Sequence, residues 1–230
     1  LGLDVDADST VTSLSVANIT PVSIASGKSL SGAITVSAGS LKLNETGTLA
    51  SSVSMRGGTL DADESSTVSG ALTQTADITI DVADNKTLTY SGSAISLGAN
   101  MLTLSGGGSL VSGGLTLNNA DSKLLLNSIT LDNVSTSANS LGIDVDNNST
   151  ITSLSVANIT PVSIASGKTL SGAITVSAGS LKLNETGTLA STIAMSGGIL
   201  DADETSTVSG ALTQSGNITI DVADNKTLTY

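Results

Sequence analysis

The chain has no cysteine, histidine, tryptophan or phenylalanine, and its aromatic residues are Tyr90 and Tyr230 alone. These absences exclude disulfide bonds, thiolate and imidazole chemistry, haem ligation by histidine and the usual zinc sites. Basic residues are also few, with 8 lysines and arginines against 20 aspartates and glutamates, which argues against binding to nucleic acid. No apolar run approaches the roughly 18–20 residues that span a membrane, so we expect no membrane span in this sequence.

Small hydroxyl residues and branched aliphatic residues dominate the sequence instead. Serine occupies 39 of the 230 positions, threonine 31 and glycine 24. A mean hydropathy of +0.29 with 39% apolar residues is too apolar for a disordered chain, although the net charge is −12. Because aromatic rings fill much of the volume in most globular cores, their near absence predicts a core too narrow to hold them.

The sequence repeats itself after residue 140. Residues 1–90 and 141–230 are identical at 76 of 90 aligned positions. Tandem similarity of this kind is typical of repeat architectures. We therefore interpret 1–140 as the first full unit and 141–230 as the start of a second, and expect the sequence to be a window on a longer array.

A shorter period of about 20 residues lies within each unit. Apolar–polar–apolar triplets such as Val22-Ser23-Ile24 return at seven intervals between Ile24 and Ile164, and such alternation is typical of half-buried strands. Corners rich in Gly, Ser, Asp and Asn separate the triplets, and no stretch has helical spacing.

This spacing predicts an all-β fold, a right-handed parallel β-solenoid (β-helix) with about 20 residues per coil and about seven coils per repeat unit. A string of β-sandwich domains is the alternative, but sandwiches have longer strands and a central Trp or Tyr. Coils of a solenoid stack at about 4.8 Å, which places inward side chains in columns. We expect the following side chains to form the core: Val22, Ile24, Leu41, Leu43, Leu60, Ile78, Ile80, Leu102, Leu104, Leu124 and Leu126.

One recurring phrase carries a resemblance to a protein family. It occurs as ITIDVADNKTLTYSG in 78–92 and as VSIASGKSLSG in 22–32, a strand followed by Gly or Asn, Lys, Ser or Thr, and Leu. The phrase resembles the coils of bacterial β-helical surface proteins, namely autotransporter passenger domains and filamentous-haemagglutinin-like giant adhesins or surface filaments.

This resemblance implies an extracellular protein of the bacterial cell surface. A structural stalk or filament is the function we expect, and we do not expect an enzyme. The expected partners are neighbouring repeats or copies of the same protein. In the alternative function, the solenoid face is an adhesive module that binds glycans of a host or a neighbouring cell.

Aspartates at the start of each unit form a candidate cation site. Asp4, Asp6 and Asp8 alternate along the chain, and Asp144 and Asp146 repeat the pattern in the second unit. Their spacing matches the start of an EF-hand loop, although the glycine and the final glutamate of that loop are missing. Two hypotheses follow, a structural Ca²⁺ site and an outward acidic stripe that keeps the fibre soluble, and we expect no other cofactor.

A second acidic cluster raises the remote alternative of a polysaccharide-cleaving enzyme. Its members are Asp61, Asp63 and Glu64, which recur as Asp201, Asp203 and Glu204. Paired carboxylates hydrolyse glycosidic bonds, but the chain lacks aromatic rings to stack a sugar, and the only arginine, Arg56, becomes Ser196 in the second unit. We therefore expect these carboxylates to be solvated corner residues.

Overall fold

A computed structural model describes residues 2–230, which wind into a stack of short strands without a helix in this range. The stack makes about 11 turns with roughly 20 residues per turn. Each strand pairs in parallel with strands of the coils before and after it, because the chain returns to the same side of the stack once per coil. The predicted all-β parallel solenoid is confirmed, and its right-handed sense stays a prediction.

The first sheet takes one strand from each coil, and it has twelve strands in the described range. With all strands numbered in chain order, they are β1 Leu3–Val5, β3 Ile19–Ile24, β5 Ser40–Leu43, β8 Thr59–Ala62, β11 Ile78–Val82, β14 Met101–Ser105, β17 Lys123–Asn127, β19 Gly142–Val145, β21 Ile159–Ile164, β23 Ser180–Leu183, β25 Ile199–Ala202 and β28 Thr219–Val222. The strands alternate apolar and polar residues, which places the apolar side chains inside and the polar ones outside.

The second sheet has seventeen strands in the same range. They are β2 Ser9–Val16, β4 Ser29–Val36, β6 Thr48–Leu49, β7 Ser52–Met55, β9 Ser66–Val68, β10 Leu72–Gln74, β12 Thr87–Tyr90, β13 Ile95–Ser96, β15 Ser109–Ser112, β16 Leu115–Leu117, β18 Thr130–Thr136, β20 Ser149–Val156, β22 Thr169–Val176, β24 Thr188–Met195, β26 Ser206–Val208, β27 Leu212–Gln214 and β29 Leu228–Thr229. The long strand β4 pairs with both β6 and β7, so some coils divide this side between two shorter strands.

The register of the first sheet shows that the coils are similar but not equal in length. Val5 pairs with Ile24 across the first coil, whereas the longest step joins Ile80 to Leu104. Seven coils separate β1 from its counterpart β19, as the sequence predicted. Pairing continues across residue 140, where Leu126 pairs with Val145, so the stack is unbroken between the two units.

The core is the interior of the stack, and the eleven side chains predicted to form it are all at most 4% exposed. The prediction that no aromatic ring fits is wrong at Tyr90, which is 3% exposed. Its hydroxyl accepts a hydrogen bond from the Leu72 N–H at 3.1 Å. Gly92 makes room for the ring, because a Cβ at that position would lie 2.4 Å from the Tyr90 hydroxyl.

The corner after the first-sheet strand explains the recurring phrase. Gly27 and Asn85 occupy the same place in it and have φ angles of 72° and 60°. Only glycine adopts this left-handed conformation freely, and asparagine tolerates it better than most residues. The N–H of the following lysine, Lys28 or Lys86, donates to the carbonyl three residues earlier at 2.9 and 3.0 Å. The glycine or asparagine of the motif therefore meets a backbone requirement of this corner, whereas the lysine contributes its main-chain N–H.

A glycine also fixes the irregularity in the middle of the second sheet. The register between β2 and β4 shifts after Val11, which pairs with Gly32. Gly32 has a φ of 125°, and a Cβ there would lie 1.9 Å from the Val11 carbonyl oxygen. Any larger residue would push the two coils apart, which makes glycine obligatory where this side of the solenoid bends.

Candidate functional site

The structure separates the aspartates that were predicted to bind calcium. Asp4 lies on β1, whereas Asp6 and Asp8 lie in the corner after it, and all three are exposed. The Asp8 Oδ1 accepts hydrogen bonds from the Ser29 N–H at 2.9 Å and the Ser29 hydroxyl at 3.1 Å, in the next coil. Asp8 therefore continues the hydrogen-bond ladder where the strands stop.

The second unit shows that this bond needs no charge. Asn148 replaces Asp8, and its Oδ1 accepts a hydrogen bond from the Thr169 N–H at 3.0 Å. Asp144 lies 2.5 Å from the Lys123 Nζ, and Asp146 lies exposed in the corner that follows. Within 2–230 no three acidic side chains come together in a way that could hold a metal ion. Calcium binding stays a prediction.

The second acidic cluster contacts lysines of the adjacent coils. The Lys42 Nζ lies 3.0 Å from both the Asp61 and the Asp63 carboxylates, and the Lys86 Nζ lies 2.5 Å from Glu64. Hydrogen bonds to Asp61 and Asp63 raise the pKa of Lys42 above its ordinary value of 10.5. These carboxylates thus stabilise ammonium groups between coils, a role that their separation from Lys42 by one coil period could have indicated.

The same ion pairs recur in the second unit. The Lys182 Nζ lies 2.9 Å from Asp201 and 3.0 Å from Asp203, and the Lys226 Nζ lies 2.5 Å from Glu204. Hydrogen bonds to Asp201 and Asp203 raise the pKa of Lys182 as well. The acidic groups considered for sugar hydrolysis are therefore partners of lysine in both units. That the chain is not an enzyme stays an expectation of the sequence.

The outward side chains of the second sheet form a surface of a different kind, which we call the neutral face. Among residues 2–230, Asp132 is the only charged residue in a second-sheet strand. Its carboxylate accepts hydrogen bonds from the Ser112 N–H at 2.8 Å and the Ser112 hydroxyl at 3.2 Å. This carboxylate therefore bonds to a neighbouring coil, and it is the one charge that the strands of this face carry in the described range.

Two columns of small residues, nearly all hydroxyl-bearing, run along the neutral face. The first hydroxyl column consists of Ser29, Thr48, Thr67 and Thr89, and of Thr169, Thr188, Thr207 and Thr229. The second hydroxyl column consists of Ser15, Thr35, Ser54 and Thr73, and of Ser96, Thr116, Ser135, Ser155, Thr175, Ala194 and Thr213. Successive members pair in register, which sets their spacing at about 4.8 Å. Sequence reasoning missed these columns, because they emerge only when the coils are aligned.

Two shallow recesses on or beside the neutral face have volumes of about 260 and 270 Å³. Asn148 and Thr150 line the first, and Asn133 and Ser153 line the second, together with other serines, threonines and glycines and a few aliphatic residues. Neither recess has a charged or aromatic group in its lining. This chemistry offers neutral donors and acceptors along a surface rather than an acid and a base at one point.

Comparisons with family models, with curated proteins and with solved structures gave no significant match to this chain. In the part that the structure describes, no helix is long and apolar enough to span a bilayer. The features that bear on function are therefore the solenoid itself, the ion pairs between its coils and the neutral face.

Proposed function

We propose that the chain is a structural segment of an extracellular fibre or stalk, belonging to a surface adhesin or filament of a bacterium. The observation that carries this proposal is the architecture, in which strands pair only with strands of adjacent coils from β1 to β28. Such a stack grows along one axis, and its length is set by the number of coils. The surface location follows the resemblance of the 78–92 and 22–32 phrases.

The contacts between coils support a mechanical role. Each coil gives the next one a row of backbone donors and acceptors and an aliphatic floor, as where Leu41 pairs with Leu60. The ion pairs also link coils, because Lys42 reaches Asp61 in the following coil and Lys86 reaches Glu64 in the preceding one. Stability then accumulates from nearest-neighbour terms, so the rod can lengthen without a larger core.

The test is the length of the rod as a function of the number of units. Chains that carry one, two and three copies of 1–140 should lengthen by roughly 34 Å per copy, since seven coils stack at about 4.8 Å. Small-angle X-ray scattering and negative-stain microscopy measure this length, and a constant cross-section is the internal control. Separate compact lobes, or a smaller increment, would overturn the proposal.

A further inference from the structure

Charged residues within the strands are concentrated in the first sheet, and the other charged residues lie in the corners. Nine charged residues lie in strands of the first sheet, against one in the second sheet, over the described range. The nine are Asp4, Lys42, Asp61, Asp81, Lys123, Asp144, Lys182, Asp201 and Asp221. Six of the nine are aspartates and three are lysines, so two copies that met through first-sheet faces would bring together surfaces with an excess of the same charge. The neutral face is the side on which a second copy meets no such repulsion.

The differences between the two units leave the neutral face uncharged. Three of its outward positions differ, Ser29 with Thr169, Ser52 with Thr192 and Ser54 with Ala194, and all exchange one small neutral residue for another. The differences that change charge lie outside the second-sheet strands, as at Asp8 and Asp77, which become Asn148 and Asn217. Charge therefore varies in the corners and is absent from these positions in both copies.

The neutral face also has the shape that sheet-to-sheet packing requires. Outside the middle of the stack, where Val111, Asp132 and Asn133 point outward, its side chains are small, so two such sheets can approach to the usual distance of about 10 Å. Both copies carry the same axial repeat, which lets the second hydroxyl column of one copy pack alongside that of the other over the whole length. A two-fold axis perpendicular to the rods makes such an interface self-complementary.

The available area is large enough for a stable dimer. Eleven coils at about 4.8 Å give a face roughly 53 Å long, and a long strand such as β4 or β22 is about 26 Å wide. Because the glycine bend divides that width, we count one half, which gives roughly 700 Å² per partner. This value is close to the roughly 800 Å² per partner of a standard protein interface.

A carbohydrate fits this face less well than a second copy. Sugar rings bind to exposed aromatic side chains in many recognition sites, but Tyr90 is 3% exposed and lies inside the solenoid. Tyr230, 77% exposed, lies just after β29, away from most of the face. Val111, 44% exposed, is the large exposed aliphatic side chain in the described second-sheet strands, and one such side chain gives a sugar ring no flat surface to stack on.

From the charge distribution, the small side chains and the area, we propose that the neutral face is a lateral interface at which two copies of this chain pack side by side. The proposal goes beyond the stalk function, because a single solenoid can serve as a stalk without pairing. It assigns the second hydroxyl column to the interface and the charged first sheet to the outer, solvated surface of the pair.

The experiment places charge on one face or the other of the full chain. Ser15→Lys with Ser155→Lys adds two positive charges to exposed positions of the second hydroxyl column, one in each unit. The matched control, Ser23→Lys with Ser163→Lys, adds the same charges to equivalent outward positions of the first sheet, next to Asp4 and Asp144. We expect the neutral-face variant to weaken dimerisation at least tenfold in sedimentation equilibrium, and the control to leave it unchanged.

Scattering distinguishes lateral pairing from the alternatives, because a lateral dimer is thicker than the monomer and no longer. A monomer at all concentrations, a dimer that is longer but not thicker, or equal effects of the two variants would overturn the proposal. So would a monomer that binds a neutral polysaccharide such as dextran and loses this binding in the neutral-face variant. If Ser15→Lys with Ser155→Lys fails to fold, Thr35→Lys with Thr175→Lys repeats the test. Rod length per unit is measured separately, so a failure here leaves the stalk proposal standing.

Discussion

Two segments with the same sequence differ in how deeply they are buried. Residues 78–90 and 218–230 both read ITIDVADNKTLTY. Ile80 and Tyr90 are 1% and 3% exposed, whereas their counterparts Ile220 and Tyr230 are 46% and 77% exposed. The first segment lies between two coils, since β11 pairs with both β8 and β14, whereas β28 pairs with β25 alone in the described range. The apolar side chains of a coil are therefore buried by the coil that follows it and not by residues of the same segment.

The comparison separates contacts with the preceding coil from contacts with the following one. Lys86 and Lys226 each lie 2.5 Å from a glutamate of the preceding coil, so this ion pair is the same in both segments. The strands differ in length, with five residues in β11 and four in β28. Each of these coils thus forms this ion pair with the preceding coil, whereas its apolar side chains are buried only when the following coil covers them.

The largest loss of stability is expected when a charged side chain is placed in the apolar interior between two coils. Ile80→Asp buries an unpaired carboxylate between two coils and should destabilise the chain by about 3–5 kcal/mol. Ile220→Asp places the same group on a half-exposed position and should cost less than about 1 kcal/mol. Urea unfolding followed by circular dichroism measures both values. Equal losses would show that the two positions are not distinguished by the following coil.

A smaller effect is expected from the hydroxyl of Tyr90. Tyr90→Phe leaves the Leu72 N–H without its acceptor and should cost about 1–2 kcal/mol, since a buried donor loses its partner. Tyr230→Phe is the matched control, and its effect should lie within about 0.5 kcal/mol. The same unfolding measurement applies. A cost at Tyr230 as large as at Tyr90 would contradict the environments described above.

The ion pairs should give small and equal effects in the two segments. Lys86→Met and Lys226→Met each remove a partly exposed pair with the preceding coil, and each should cost about 0.2–1 kcal/mol. Thermal unfolding at low and at high salt measures the loss, which should shrink as salt screens the pair. A clearly larger effect at Lys86 would mean that the following coil also strengthens this ion pair.

The stability of the fold at high pH should depend on the ion pairs of Lys42 and Lys182. The pKa values of Lys42 and Lys182 are raised by hydrogen bonds to aspartates, so the folded state favours the ammonium forms. The resulting stability is complete below the ordinary lysine pKa of 10.5 and is lost as the pH rises through the raised values. Melting temperatures between pH 9 and 12 should fall more steeply for the wild type than for Lys42→Met with Lys182→Met. Parallel curves would contradict the assignment.

Inward positions, which depend on the alternation within one coil, could be predicted from the sequence. Side-chain contacts between coils, which depend on the register of two coils, were missed. Inward positions such as Ile78 and Leu102 follow from local alternation, and all were confirmed. The ion pair of Lys42 with Asp61 depends on which residues the register brings side by side, and the neutral face depends on that register over the whole stack. The expectation of a core too narrow for aromatic rings was wrong at Tyr90, because the space for its ring comes from Gly92, a feature of packing that the composition does not contain.

The hydrogen bonds between coils have a mechanical consequence. These hydrogen bonds run parallel to the long axis of the stack. A force that pulls the two ends of the chain apart therefore breaks the bonds of the terminal coil first and those of the next coil afterwards. We expect the rod to lengthen in steps, each releasing roughly 20 residues, which extend to roughly 70 Å. The remaining coils stay folded at each step, so such a rod would yield gradually under a sudden pull instead of breaking.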